Sequence, residues 1–209
     1  MAVVASCNCA ARRGMRLDSS LIAAVIVVVG VAVSRYWMGR RDRDRGLDAF
    51  LKLVHLGDAR MASDVAYLKR NAIEHVVTVA PAHEFSLEYH EEHLETHRVP
   101  ILDNGLERLR PHLDDAFAFL HRAARQNLSI LVHCIEGKSR SPALLMAYLM
   151  SEEGLTLRDA FAIVKKMRPE TQPRFQMFEE LLALERDLYN GVNTMTHEDN
   201  YVPIVLGPP

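Results

Sequence analysis

Apolar positions recur along this chain with three rhythms. At 50–56, 75–80, 96–102 and 129–134 they gather in short runs rich in Val, Ile and Leu, as strands require, and the last run is almost wholly apolar, as befits a central strand. At 63–71, 110–126, 142–153, 157–167 and 174–189 they return every three or four residues, the spacing of one helix face. Phe175, Phe178, Leu181, Leu182 and Leu188 form such a stripe, which reads as core. Gly154 ends the third helix, Thr156 with Asp159 opens the fourth in a box-like cap, and Pro169 stops it. Alternating strands and helices predict an α/β domain over 46–190, a central, mostly parallel or mixed sheet of four to five strands flanked by helices. The third rhythm is an uncharged window at 19–34 containing an unbroken apolar run over 21–33. A tail, 191–209, shows no packing pattern and is expected to be flexible.

Composition narrows the picture. At 209 residues the chain has room for one well-buried domain and appendages. Its net charge of −2, with acids and bases interspersed, gives no footprint for nucleic acid. Three cysteines, Cys7, Cys9 and Cys134, do not make a disulfide scaffold and fit a reducing compartment. Cys7 and Cys9 lack a second ligand cluster, so no metal site is read there. His90, His93 and His97, interleaved with Glu91, Glu92 and Glu95, read as a solvated charged segment rather than a metal site. Neither metal nor cofactor is expected.

The candidate chemistry lies at 133–141, His133-Cys134-Ile135-Glu136-Gly137-Lys138-Ser139-Arg140-Ser141, between the apolar 129–132 and the helical spacing of Leu144, Leu145, Tyr148 and Leu149. Strand, tight turn through Gly137 and helix would aim backbone N–H groups inward at a helix N-terminus, where a phosphate is stabilised. A helix N-terminus and a neighbouring cation also favour a thiolate, making Cys134 a ready nucleophile. Arg140 closes the loop with a planar guanidinium able to hold two phosphoryl oxygens.

This string resembles the loop His-Cys-x-x-Gly-x-x-Arg-Ser/Thr of the dual-specificity subgroup of cysteine-dependent protein tyrosine phosphatases. The resemblance runs from about Gly46 to Asn190. It includes 53–57 and 73–80 as opening strands, 99–104 as the segment holding a general acid, and 173–178 at the start of the closing helix. It implies a phosphomonoester hydrolase acting on phosphotyrosine and phosphoserine or phosphothreonine of proteins through a cysteinyl-phosphate. Carried over, Cys134 is the nucleophile, Arg140 the phosphate clamp, and Asp103 the general acid, although Asp103-Asn104-Gly105 is also a turn sequence. Ser141 would hydrogen-bond the cysteine sulfur, and His133 would hold the loop and support the thiolate. His133, Ile135, Glu136, Gly137, Lys138, Ser139 and Arg140 together form the expected substrate-binding loop. Asp114 and Asp115, early in a helix that Pro111 starts, are poorer acids. Glu136 would repel a polyphosphorylated inositol lipid while Lys138 would attract it, and Arg174 stands where the family often has asparagine. A phosphatase of phosphoinositides or other non-protein phosphates, and a phosphate-binding module with little turnover, remain the rival readings.

Sixteen residues of helix at 19–34 span about 24 Å at 1.5 Å each, against a hydrocarbon core of about 30 Å. Tyr36 and Trp37 sit where interfacial anchors belong. A secretory signal would export a reactive thiol into an oxidising compartment. A core element is disfavoured by the charged 40–45 that follows. Residues 1–45 are therefore read as an N-terminal segment with an uncleaved membrane anchor at 19–34. The basic flank of Arg35, Arg40, Arg41, Arg43 and Arg45 places the catalytic domain in the cytosol. Mitochondrial targeting, given Arg12, Arg13 and Arg16, and a soluble cytoplasmic protein are the alternatives. The partners implied are a phosphorylated protein, or a phospholipid headgroup on the rival reading; the oligomeric state is not set by the sequence.

Overall fold

The computed structural model describes residues 46–86 and 88–201. The proposed anchor at 19–34 and Cys7 and Cys9 lie outside them; among the described residues no helix is long and apolar enough to cross a membrane.

Four parallel strands, β1 (Val54–Gly57), β2 (Ile73–Thr78), β3 (Glu95–Arg98) and β4 (Ser129–His133), lie in the order β1-β4-β2-β3. The expected α/β architecture is present, with β4 flanked on both sides. Because side chains alternate along a strand, Ile130 and Val132 enter the larger core with Val77, whereas Leu131 enters a smaller one with Val76, Ala62 and Leu68. Parallel pairing needs crossovers, and helices supply them on both faces. They are α1 (46–53), α2 (Ala59–Ser63), α3 (Val65–Arg70), α4 (Glu88–His93), α5 (Leu113–Arg125), α6 (Arg140–Ser151), α7 (Leu157–Met167) and α8 (Phe175–Leu188). Helix α6 runs under β4 against α7 and α8, and every residue from Arg140 to Met150 is buried.

Several boundaries differ from the sequence reading, each for a local reason. Residues 50–53 are helical, because Leu47, Phe50 and Leu51 share a helix face and Phe50 stacks on Tyr148 with centroids 4.5 Å apart. The strand expected to run to residue 102 ends at Arg98, two residues before Pro100. The helix expected at 63–71 is α3, and the unexpected α2 precedes it; each is opened by an aspartate whose carboxylate accepts a backbone N–H at 2.9 Å, Asp58 from Met61 and Asp64 from Tyr67. The segment around His90, read as solvated, is the helix α4; His90 is buried, with Nε2 bonded to the Ala62 carbonyl at 2.8 Å. The Thr156 cap is present, its hydroxyl accepting the Asp159 N–H at 3.2 Å.

Residues 191–201, expected to lack packing, fold back along α8. The buried carboxylate of Glu185 accepts from the N–H groups of Leu157 (2.7 Å) and Thr194 (2.8 Å) and from the Thr194 hydroxyl (2.6 Å). Met195 is buried, His197 stacks on Phe175 at 4.0 Å, and the Asn200 amide donates to the Pro173 carbonyl at 2.8 Å. Polar contacts of this kind leave no apolar rhythm in the sequence.

Candidate active site

Cys134 follows directly on β4, at the carboxyl end of a parallel sheet, where α/β folds place their ligands. The chain then turns through 135–139 into α6. Neighbouring elements bind the carbonyls of this loop from outside: the Ala59 N–H donates to Ile135 (3.1 Å), the Gln172 N–H to Lys138 (2.7 Å), and the Arg168 guanidinium to Glu136 (3.1 Å). With those carbonyls turned outward, the loop N–H groups face inward, and that of Gly137 donates to the Cys134 sulfur at 3.2 Å. Gly137 has φ +69°, and a Cβ there would lie 2.6 Å from the Gly57 carbonyl oxygen, so the turn demands glycine. The Ser141 hydroxyl donates to the same sulfur at 3.3 Å.

Arg140 is 5 % exposed, and one of its terminal nitrogens donates to Glu84 at 2.6 Å and to the Ile101 carbonyl at 3.0 Å. Its Nε–H is buried with no partner among the described residues. Ser139, at the N-cap position of α6, does not cap its own helix. Its hydroxyl donates to Asp103 Oδ1 at 3.0 Å and accepts the Arg174 N–H at 3.0 Å, leaving the first N–H groups of α6 to a ligand. Arg174 Nε pairs with Asp103 Oδ2 at 3.1 Å. Asp103 is thereby held beside the loop from two separate elements.

His133 is fully buried. Its Nδ1 lies 3.3 Å from the Cys134 carbonyl and its Nε2 2.7 Å from the Thr78 hydroxyl, a residue in register with it on β2. A carbonyl only accepts, so Nδ1 carries the proton and Nε2 accepts from Thr78. Burial pushes the His133 pKa down to about 4, which keeps the ring neutral near pH 7. It therefore supports the loop through hydrogen bonds and lends the sulfur no charge.

Around the sulfur opens a cleft of about 740 Å³. Cys134, Ile135, Glu136, Lys138, Ser139, Arg140 and Asp103 line it, as the sequence reading grouped them; His133, Gly137 and Ser141 stand behind the wall. On the rim Glu136 and Lys138 pair with each other at 3.8 Å. Asp114 and Asp115 sit in the first turn of α5 and are not part of the cleft. Sequence reasoning missed Glu84, Thr78, the Asp58 and Arg168 pair at 2.8 Å, and Tyr201 on the cleft wall. Of these only Arg168, two residues before the close of the Pro169-Glu170 turn, carried a local cue, since a cation at the end of α7 complements its dipole.

A sulfur, an arginine and inward N–H groups on a strand-loop-helix turn at the end of a four-stranded parallel sheet define the cysteine-phosphatase class of α/β protein. Residues 54–187 match the family described as dual specificity phosphatase, catalytic domain, and the chain belongs to that family. It is 36% identical over 138 residues to the fruit-fly Dual specificity protein phosphatase Mpk3 (Drosophila melanogaster), covering 65% of this chain but only 33% of that protein. With Dual specificity protein phosphatase 1 of Arabidopsis thaliana it shares 33% identity over 80% of each chain. A mouse putative dual specificity phosphatase, solved in complex with zinc tungstate, superposes with a TM-score of 0.57 at 32% identity, over 65% of this chain and 84% of that one.

Proposed function

We propose that the chain is a cysteine-dependent phosphomonoester hydrolase acting on phosphorylated proteins, on tyrosine and on serine or threonine. The observation that carries this reading is the Cys134 sulfur, held by the Gly137 N–H and the Ser141 hydroxyl at the floor of a cleft that Arg140 and the start of α6 make anion-binding. Its mouse neighbour's complex with tungstate, a tetrahedral oxyanion, agrees with it.

In this mechanism the Cys134 thiolate attacks phosphorus while the phosphoryl oxygens are held by the loop N–H groups and by the Arg140 guanidinium, whose Nε–H is left for one of them. The bond from phosphorus to the leaving oxygen breaks, and Asp103, carrying a proton, delivers it to that oxygen. Water then attacks the cysteinyl-phosphate, Asp103 takes its proton, and the sulfur leaves with the Ser141 hydroxyl bonded to it. Cys134→Ser in the full chain abolishes turnover of para-nitrophenyl phosphate and of phosphopeptides; activity that survives it would sink the mechanism.

For a polyphosphorylated lipid the rim offers little, since Lys138 is already paired with Glu136. Rates on phosphopeptides therefore exceed those on phosphoinositide vesicles, and the reverse order would transfer the site to lipid. Phosphopeptide binding without a trapped cysteinyl-phosphate would instead make it a binding module. The apolar 19–34 and its basic flank support retention at a membrane with the catalytic domain on the cytosolic side. Release of the full chain from membranes by alkaline carbonate would remove the anchor from this reading.

A further inference from the structure

The family match ends at residue 187, yet the chain continues as an ordered strap that returns to the cleft. Glu185 holds Thr194, Phe175 stacks on His197, and Pro173 receives Asn200, so the strap is fixed at three successive points. The last of these is one residue from Tyr201, which lines the cleft beside Pro173 and Arg174 and is 54 % exposed. A half-exposed aromatic ring delivered to a cleft wall by a built strap is a binding surface, because nothing in the core requires it there.

Size points the same way. About 740 Å³ falls within the roughly 300–1,000 Å³ of clefts that enclose a drug-sized ligand, far more than a phosphate group needs. Cys134 and Tyr201 line the same cleft, so a polypeptide that brings its phosphate to the sulfur has that wall within its reach.

We propose that Tyr201 is a specificity-determining residue: its ring receives an apolar side chain of the substrate polypeptide next to the phosphorylated residue. The occupant is a peptide because a phosphate on a small alcohol or aryl group ends at the loop, whereas the strap extends the wall beyond it. This rests on the phosphomonoesterase reading above, and it makes residues 191–201 part of the substrate site.

The test uses the full chain with para-nitrophenyl phosphate and two phosphotyrosyl peptides, one with apolar residues flanking the phosphotyrosine and one with glycines there. In the parent protein kcat/KM favours the apolar peptide; Tyr201→Ala lowers that preference about fivefold, the worth of one aromatic contact. Asn200→Ala, which unties the strap from Pro173, lowers it in the same direction, and Tyr201→Phe keeps it. Binding of both peptides to the Cys134→Ser protein by calorimetry gives the same ratio without turnover. A preference unchanged in Tyr201→Ala, or an equal loss on all three substrates, overturns the proposal. No turnover of para-nitrophenyl phosphate by the parent protein instead overturns the phosphatase reading, and the calorimetric ratio still decides the role of Tyr201.

Discussion

Acidification should destabilise this fold through His133, by an amount that follows from its burial. The ring titrates at about 4 in the folded protein against 6.5 for an unperturbed histidine, so the unfolded chain takes up the proton first. Its penalty is absent well above pH 6.5, grows as pH falls through the window from 6.5 to about 4, and is constant below. Each unit of pKa difference corresponds to about 1.36 kcal/mol, which gives a ceiling of about 3.4 kcal/mol, with about 2 reached by pH 5 and about 3 by pH 4. Burial also lowers the pKa of His75, His90 and His97, so the His133 contribution is isolated by difference. Unfolding free energies from urea titrations at pH 7 and pH 5 are compared for the parent chain and His133→Asn, whose amide retains a donor for the Cys134 carbonyl. The parent loses about 2 kcal/mol more than the variant over that interval. Parallel losses in the two proteins would refute the reasoning, and so would an NMR titration placing the His133 ring near 6.5.

Glu84→Gln removes the carboxylate that holds Arg140 and leaves a buried guanidinium with a neutral partner. kcat/KM on aryl phosphates falls by about tenfold or more, equivalent to at least about 1.4 kcal/mol, and steady-state kinetics read it directly. Gly137→Ala forces a Cβ toward the Gly57 carbonyl at positive φ, costing roughly 1–3 kcal/mol of stability by urea titration and the loop's geometry with it. Asp103→Ala slows alkyl phosphates by about a hundredfold or more but para-nitrophenyl phosphate much less, because a good leaving group needs no proton; equal losses would remove Asp103 from its role.

The four strands, the helices α3 and α5 to α8, and the loop at 133–141 were legible because each rests on local rules: apolar rhythm, a turn glycine, and a spacing with a chemical reason; the short α2 and α4, which carry no such rhythm, were not. What was not legible is long-range or polar. Glu84 meets Arg140 across 56 positions, Arg168 meets Asp58 across 110, and no periodicity marks either member. Thr78 reads as one more β-branched strand residue until strand register sets it opposite His133. The strap at 191–201 is bound by hydroxyls, an amide and a buried carboxylate, so a scan for apolar stripes passes over it.

Arg174 shows how a departure from a family pattern can leave a site intact. The contact from this position to the loop at 134–139 is made by its backbone N–H, to the Ser139 hydroxyl, and any residue but proline can supply that. The side chain is thereby free for a second task, and it takes Asp103 at 3.1 Å while Ser139 takes the other carboxylate oxygen. Pro173, one residue earlier, anchors the strap through Asn200. The Asp103 segment, the loop at 134–139 and the strap therefore meet at two adjacent residues. Displacing any one of them breaks a hydrogen bond or ion pair belonging to another, so loosening the strap reaches Asp103 by a path of two contacts. The rate on leaving groups that need a proton should consequently respond to Asn200→Ala more than the rate on para-nitrophenyl phosphate does.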